Sequence, residues 1–242
     1  MQQNPTYSDQ THPVLIIGGG AIGAALAKSF ADKGYEAHLA SRKALNLEGI
    51  QTHQVTAWSK ESLTKLAQSF DSLSGVVVAS GLLHDDSQNI APEKSLDDIT
   101  SEAMTQVLQV NTVFPALCGQ VFLPKLAKDA PSFMGVLSAR VGSISDNRLG
   151  GWYSYRMSKA ALNMFIKTAS IELARKNKTA FIVGLHPGTV DSNLSAPFQR
   201  NVPEGKLFTP EFSAAKLADV LLSLAVEHTG KCFDYAGEEV LP

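Results

Sequence analysis

The first regular pattern in the chain is the apolar run Val14–Ile17, which stops at three glycines. The segment after it, A-I-G-A-A-L-A-K-S-F-A-D-K, spaces its apolar residues at helical period and ends at Gly34, so strand, tight turn and helix are predicted in that order. The pattern then repeats with strands expected near 36–40 and around 50–55, a helix over 60–70, and a fourth strand at the β-branched run 75–79. A long helical stretch follows over 101–128, with a bend expected near Pro115, because proline has no N–H for the preceding turn. Residues 133–138 read as a strand, Tyr153–Lys176 as a helix, 181–185 as a strand ending at His186-Pro187, 210–226 as a helix and 231–235 as a last strand. The intervening 192–210, rich in Pro, Gly and Asn, reads as a loop. Alternating strands and helices imply a parallel sheet covered on both faces. The expected fold is α/β, a single Rossmann-like doubly wound parallel sheet over residues 13–242, preceded by an extended or disordered tail at 1–12.

Composition narrows the function classes. A chain of 242 residues with 44% hydrophobic content can bury a large core, and 21 basic against 23 acidic residues leave a net charge of −2. That balance gives no electrostatic footprint for nucleic acid or an anionic membrane, so a small-molecule ligand is expected. Cys118 and Cys232 stand far apart without a neighbouring ligand pattern, so no metal site and no disulfide framework is expected. The N-terminal M-Q-Q-N-P-T-Y-S-D-Q-T-H-P has no signal-peptide character, and no uninterrupted apolar run approaches the roughly 18 residues of a spanning helix. A cytoplasmic protein is expected.

Two constellations carry chemistry. I-I-G-G-G-A-I-G places Gly18, Gly20 and Gly23 in G-x-G-x-x-G spacing between strand and helix. Such a turn lets backbone approach a pyrophosphate, and the helix N-terminus at Ala21 and Ile22 offers N–H groups and partial positive charge. An acidic residue at the end of the second strand would mark NAD, but the sequence there is L-A-S-R-K. Arg42, with Ser41 and Lys43, is a candidate clamp for a 2′-phosphate, so NADP(H) is favoured over NAD(H). The second constellation is Tyr155 and Lys159, four positions apart at a helix start and hence on one face. A nearby ammonium favours the phenolate and makes tyrosine usable as an acid–base group; Tyr153 has Met157 at the same offset and is the weaker candidate.

These residues resemble the short-chain dehydrogenases/reductases over nearly the whole chain. V-N-T-V supplies Asn111, L-S-A-R supplies Ser138, Y-R-M-S-K supplies Tyr155 and Lys159, and H-P-G-T-V-D-S supplies Pro187, Gly188 and Thr189. The longer strings S-A-R-V-G-S-I and G-G-W-Y-S-Y-R-M-S-K-A-A-L-N are similar to the C-factor-type branch, itself like the sniffer-type carbonyl reductases. The resemblance implies hydride transfer between a nicotinamide and a small carbonyl or alcohol, with Tyr155 as acid, Lys159 lowering its pKa and holding the nicotinamide ribose, and Asn111 positioning a relaying water. Ser138 would hydrogen-bond the substrate oxygen. Besides the glycine turn, Ser41 and Arg42, the implied cofactor contacts are Ala79, Ser80, Gly81, Asn111, Tyr155, Lys159, Pro187, Gly188, Thr189 and Val190. A homodimer or homotetramer through the two long helices is implied as well.

Some positions depart from the family pattern. Ile17 stands where Thr is usual, V-A-S-G at 78–81 replaces N-N-A-G, and Gln54 replaces an acid after the third strand. Aligning Gly142 on the family's glycine puts Ala139, not Ser138, at the serine position, and one residue along a strand reverses the side chain. Ser138, Ser143 or no serine could complete the site. Leu194, Pro197 and Phe198 could line an apolar pocket or simply pack. An NADP(H)-dependent oxidoreductase is the leading expectation; a dinucleotide-binding sensor or signalling protein of the C-factor type, with vestigial catalysis, is the alternative.

Overall fold

The computed structural model describes residues 12–242; of the tail expected at 1–12, all but His12 lies outside the described residues. The first half runs β1 (Val14–Ile17), α1 (Ala21–Asp32), β2 (Ala37–Ser41), β3 (Gln51–Gln54), α2 (Lys60–Ala67) and β4 (Gly75–Val78). The second runs α3 (Ser101–Leu108), α4 (Phe114–Phe122), β5 (Ser132–Leu137), α5 (Tyr153–Lys176), β6 (Ala180–His186), β7 (Thr189–Val190), β8 (Leu207–Phe208), α6 (Pro210–Ser223) and β9 (Cys232–Asp234). Seven strands pair in the order β3-β2-β1-β4-β5-β6-β9, every pair parallel. This is the expected doubly wound sheet. Its order reverses between β1 and β4, and ligands of such sheets bind at the carboxyl ends of the strands beside that reversal.

Alternation along each strand sorts the core into two layers. Val76, Val78, Met134 and Val136 face Phe122, Leu162 and Ile166 on the α4 and α5 side. Val77, Phe133 and Leu185 face Leu26, Phe30, Leu217 and Leu221 on the α1 and α6 side. Phe133 stacks on Phe30 at 5.8 Å and lies 6.0 Å from Phe181, so three rings tie α1 to the sheet centre.

The long helix expected over 101–128 is divided. A π-helical turn, Gln109–Val113, separates α3 from α4, and a 3₁₀ turn, Leu123–Lys125, ends it. The break precedes Pro115 because the missing proline N–H would have served the carbonyl of Asn111; instead the Phe114 N–H reaches back five residues to Gln109. The composite stretch Ser101–Lys125 is, by length and composition alone, apolar enough to cross a membrane, which a search for uninterrupted apolar runs does not register because Gln106, Gln109 and Asn111 divide it. Its buried residues Phe114, Cys118 and Phe122 belong to the core layer beneath α5. The 192–210 loop also has structure: a 3₁₀ turn, Ala196–Asn201, and β8, which pairs with β7. Cys118 and Cys232 are buried and free, and among the described residues no cluster of His, Cys, Asp and Glu is arranged to hold a metal.

Candidate functional site

The glycine turn is shaped by contact as much as by conformation. Gly18 has φ of +123°, and a Cβ there would lie 2.7 Å from the Ala79 carbonyl oxygen. A Cβ on Gly23 would lie 1.8 Å from the Gly18 carbonyl oxygen, so α1 packs directly on the turn. Gly20 is the N-cap of α1 and makes no side-chain cap, the first turn with Ala21 and Ile22 holds no acid, and a Cβ on Gly20 would meet nothing within 4 Å. The first N–H groups of α1 therefore lack a side-chain acceptor beside open space, which suits a phosphate. Ser80 Oγ, next to Ala79 and Gly81, is buried without a hydrogen-bond partner. At the end of β2, buried Ser41 accepts the Lys43 N–H at 3.2 Å, Arg42 is exposed, and Gln54 Nε2 donates to the Arg42 carbonyl at 3.4 Å. An orphaned hydroxyl, a glycine cradle, an uncapped helix start and an exposed guanidinium fit a dinucleotide.

Tyr155 lies in the first turn of α5 and is buried, which pushes its phenol up to about 12. Lys159, one turn on and 2% exposed, is pulled by burial down to about 8, with Cys232 acting weakly in the opposite sense. Lys159 Nζ donates to the Leu137 carbonyl at 2.9 Å and lies 5.7 Å from the centre of the Tyr155 ring. Asn111, in the π turn, is fully buried: its Oδ1 accepts the Leu82 N–H at 2.8 Å, and its Nδ2 donates to the Leu82 carbonyl at 2.8 Å and to Ser158 Oγ at 3.0 Å. Asn111 thus binds the segment after β4 to α5.

The serines lie elsewhere. Ser138 Oγ donates to Asn163 Oδ1 at 2.7 Å, on the α5 side of the sheet, as its parity with Met134 and Val136 requires. Ser143 Oγ accepts the Asp146 N–H at 3.1 Å. It is Ala139 that packs with Tyr155, in an apolar cluster with Leu83, Ile90, Val107, Val141, Trp152, Leu194 and Phe198. The structure therefore brings Asn111, Tyr155 and Lys159 together and directs the hydroxyls of Ser138 and Ser143 to other partners. On the far side, Pro187 accepts from Ser213 Oγ at 2.8 Å, Gly188 (φ +75°) packs under Phe208, and Thr189 and Val190 form β7. His186 Nδ1 is buried without a partner, and burial, reinforced by Arg140 and opposed by Asp234, lowers its imidazole to about 4.

A family model described as short chain dehydrogenase matches residues 12–203. The chain belongs to the short-chain dehydrogenase family. Its members are oxidoreductases that bind a nicotinamide dinucleotide. This dehydrogenase is 33% identical over 146 residues to the C-signal of Myxococcus xanthus, covering 60% of this chain and 82% of that protein. Among solved structures it is similar to the carbonyl reductase Sniffer of D. melanogaster, with TM-score 0.80 and 20% identity over 96% of this chain and 99% of that one. It is also similar to an NADPH-bound carbonyl reductase from chicken fatty liver, with TM-score 0.78 and 20% identity over 96% and 94%. At such identities the two structures show the shared fold.

Two parts of the dehydrogenase's site escape a motif reading. Gly150, Gly151 and Trp152 are consecutive left-handed residues, with φ of 64°, 63° and 53°, and Trp152 is the N-cap of α5 without a side-chain cap to offer. Glu93 does that work from the loop after β4. Its carboxylate is buried and accepts both the Ser154 N–H, at 3.1 Å, and the Ser154 hydroxyl, while its carbonyl accepts the Trp152 N–H at 2.6 Å. A tryptophan at an N-cap signals a missing cap, but nothing in the local sequence points 61 residues back to its supplier. The second part is the covering segment: the Trp152 ring lies 6.2 Å from Tyr155 and 5.2 Å from Phe198, and His84 meets Phe198 at 5.8 Å and the Asn193 carbonyl at 2.8 Å. Replacing Glu93 by Ala strands two buried donors of Ser154, at about 1–3 kcal/mol. Differential scanning calorimetry of Glu93→Ala should show the melting temperature lower by roughly 3–10 °C, with Glu93→Gln recovering most of the loss.

Proposed function

We propose that this short-chain dehydrogenase is an NADP(H)-dependent oxidoreductase interconverting a carbonyl and an alcohol, with Tyr155 as the acid–base group. The observation that carries the reading is the buried Lys159 amine beside the buried Tyr155 phenol, next to a glycine cradle suited to a dinucleotide. The nicotinamide, when bound, supplies or accepts the hydride. The chain's own residues do the rest. Gly18, Gly20 and Gly23 admit the pyrophosphate, the free Ser80 hydroxyl gives the cofactor a hydrogen bond, and the segment from Pro187 to Val190 borders the nicotinamide end. In reduction Tyr155 passes its phenolic proton to the carbonyl oxygen as charge develops there, and the Lys159 ammonium stabilises the phenolate left behind. Asn111 holds the Leu82 backbone against α5, and Ala139 stands where a hydroxyl would otherwise assist the oxyanion.

With NADPH and a panel of aldehydes and ketones, Tyr155→Phe should lower kcat by about 10²–10⁴-fold. Ala139→Ser should raise kcat by roughly tenfold or more by adding an oxyanion donor, whereas Ser138→Ala should not produce such a gain. A Tyr155→Phe enzyme as fast as the parent would end the proposal. The similarity to the C-signal and the alanine at 139 favour one other reading, a dinucleotide-binding signalling protein; tight NADPH binding by calorimetry without turnover of any panel member would support it over catalysis.

The cofactor preference rests on exposed Arg42 at the end of β2 and on the absence of an acid there; the related chicken reductase is NADPH-bound. Arg42→Ala removes a charge-assisted contact to the 2′-phosphate, so KM for NADPH should rise about 10- to 100-fold and KM for NADH should hardly change. An equal rise for both would contradict the assignment.

The pH dependence follows from the two shifted groups. Below about 8 Lys159 is charged, and Tyr155, raised to about 12, carries its proton throughout the neutral range. As pH rises through the lysine value the ammonium that stabilises the departing phenolate is lost. Initial rates of NADPH oxidation with saturating carbonyl substrate should be flat on the acid side and decline above about 8. A rate that keeps climbing beyond that point would show another group in control.

A further inference from the structure

Arg156 directly follows Tyr155, and its half-buried side chain turns back onto the loop that joins β5 to α5. Its Nε donates to the Gly151 carbonyl at 3.0 Å and to the Gly150 carbonyl at 3.3 Å, and its Nη1 donates to the Val141 carbonyl at 3.3 Å. One guanidinium thus holds both ends of the loop: Val141, two residues after Ala139, and the two glycines that lead into Trp152 and Tyr155. The stretch between has no packing of its own to fix it. Residues 144–150 are exposed throughout, with Ile144 at 78% and Leu149 at 92%. Two other side-chain bonds, Arg140 to Asp234 at 3.3 Å and Ser145 to the Pro242 carbonyl at 2.6 Å, tie the loop to β9 and the chain after it, away from the start of α5.

The backbone at the end of this loop needs such a hold. Gly150, Gly151 and Trp152 are left-handed in succession, and a non-glycine residue persists in that conformation only where its surroundings over-determine it. Glu93 fastens Trp152 and Ser154, and Arg156 fastens the two glycines before them. The charge of Arg156 is not what this place uses. Among the described residues Arg156 forms no ion pair, and the Tyr155 phenol is shifted by burial, with no contribution from the neighbouring guanidinium. Three carbonyls on two segments of chain call for several donors fixed in one plane, which a guanidinium supplies and the single ammonium of lysine does not. We propose that Arg156 is a positioning residue, whose guanidinium fixes the loop after β5 to the first turn of α5 and so sets where Tyr155 stands relative to Ala139. The proposal rests on the oxidoreductase reading above and adds to it a residue that touches none of the reacting groups. All three bonds go to this loop and none to the glycine turn, so cofactor binding does not depend on them.

The test uses the full chain, NADPH and the member of the aldehyde and ketone panel that the parent turns over fastest. Arg156→Ala should lower kcat by about 10- to 100-fold, the scale of a displacement near 1 Å at the reacting groups, while calorimetry finds the NADPH Kd and stoichiometry within about twofold of the parent. Arg156→Lys keeps the charge and should lose nearly as much kcat as Arg156→Ala. Guanidinium added at about 10–50 mM should restore the kcat of Arg156→Ala saturably, by about fivefold or more, and methylammonium at the same ionic strength should not. Arg156→Lys with at least half the parent kcat overturns the proposal, as does guanidinium that restores no more than methylammonium does. A loss of NADPH-binding protein that accounts for the lost kcat in both variants, or failure of both to fold, makes the role one of stability alone and overturns it too. Each of these outcomes leaves the oxidoreductase reading standing. A parent that binds NADPH and turns over no member of the panel overturns that reading and the proposal together.

Discussion

An amine carried into a protein interior has to be met by an acceptor, and for Lys159 that acceptor is the Leu137 carbonyl, 2.9 Å away. Among the described residues Lys159 forms no ion pair, so this one bond and the electrons of the Tyr155 ring stand in for solvent. The arrangement depends on where β5 ends. Leu137 is its last residue, and the next N–H, of Ser138, already pairs with Leu185 of β6, which fixes the strand end in the middle of the sheet. Helix α5 can come close enough for the bond only because residue 142 is glycine: a Cβ there would sit 2.8 Å from the Lys159 Cβ. Once Lys159 is held at the carboxyl end of β5, Tyr155 one turn earlier must project beyond the sheet, toward the side where the β1 turn is open. The desolvation that makes the amine hard to charge also brings its titration close to neutrality, so the structural burden and the chemical use are one property.

The start of α5 is under a separate constraint. A helix that begins at a left-handed tryptophan has no local cap, and its first turn is completed by Glu93, contributed by the crossover between β4 and α3. Asn111 grips the same crossover from below through both polar atoms of Leu82. The loop after β4 is therefore fastened at its beginning to the π turn and near its end to α5, and Leu83 and Ile90 between them pack in one cluster with Tyr155. A parallel sheet makes this possible, because it delivers the loops after β1, β4, β5 and β6 to one edge.

Much of this frame is legible in the sequence. The central strands β1, β4, β5 and β6 carry near-continuous apolar runs because both faces are buried, while the edge strand β3, Gln51–Gln54, is polar and exposed; the predicted limits fall within a residue or two of β1 to β6. The glycine spacing, the Tyr155–Lys159 offset and the proline-glycine after β6 are local patterns with local causes. What was not legible depends on distant partners. Pro115 signals a bend, but not that Asn111 in the resulting π turn bonds Leu82; the cap of α5 comes from Glu93; the short β7–β8 pair joins segments on either side of a 3₁₀ turn that has no periodic signal. Residue identity at 138 and 139 was legible, but which of the two meets Tyr155 was not settled by motif alignment alone.

Strand parity gives those two residues different work. Leu137 and Ser138 are consecutive, yet both bond to α5: the Leu137 carbonyl receives Lys159, and the Ser138 hydroxyl donates to Asn163, one helical turn further on. The two bonds are successive rungs between the end of β5 and one face of α5, so in the proposed mechanism Ser138 sets the spacing at which Lys159 meets its carbonyl and takes no part in the reaction. Ala139, released from the strand, turns into the apolar chamber. Removing a hydroxyl from that wall takes away a donor to the developing oxyanion, a group of a kind worth about 2.7–4 kcal/mol elsewhere. In the proposed mechanism the Tyr155 proton is then the group that meets the carbonyl oxygen, with the Lys159 amine behind it.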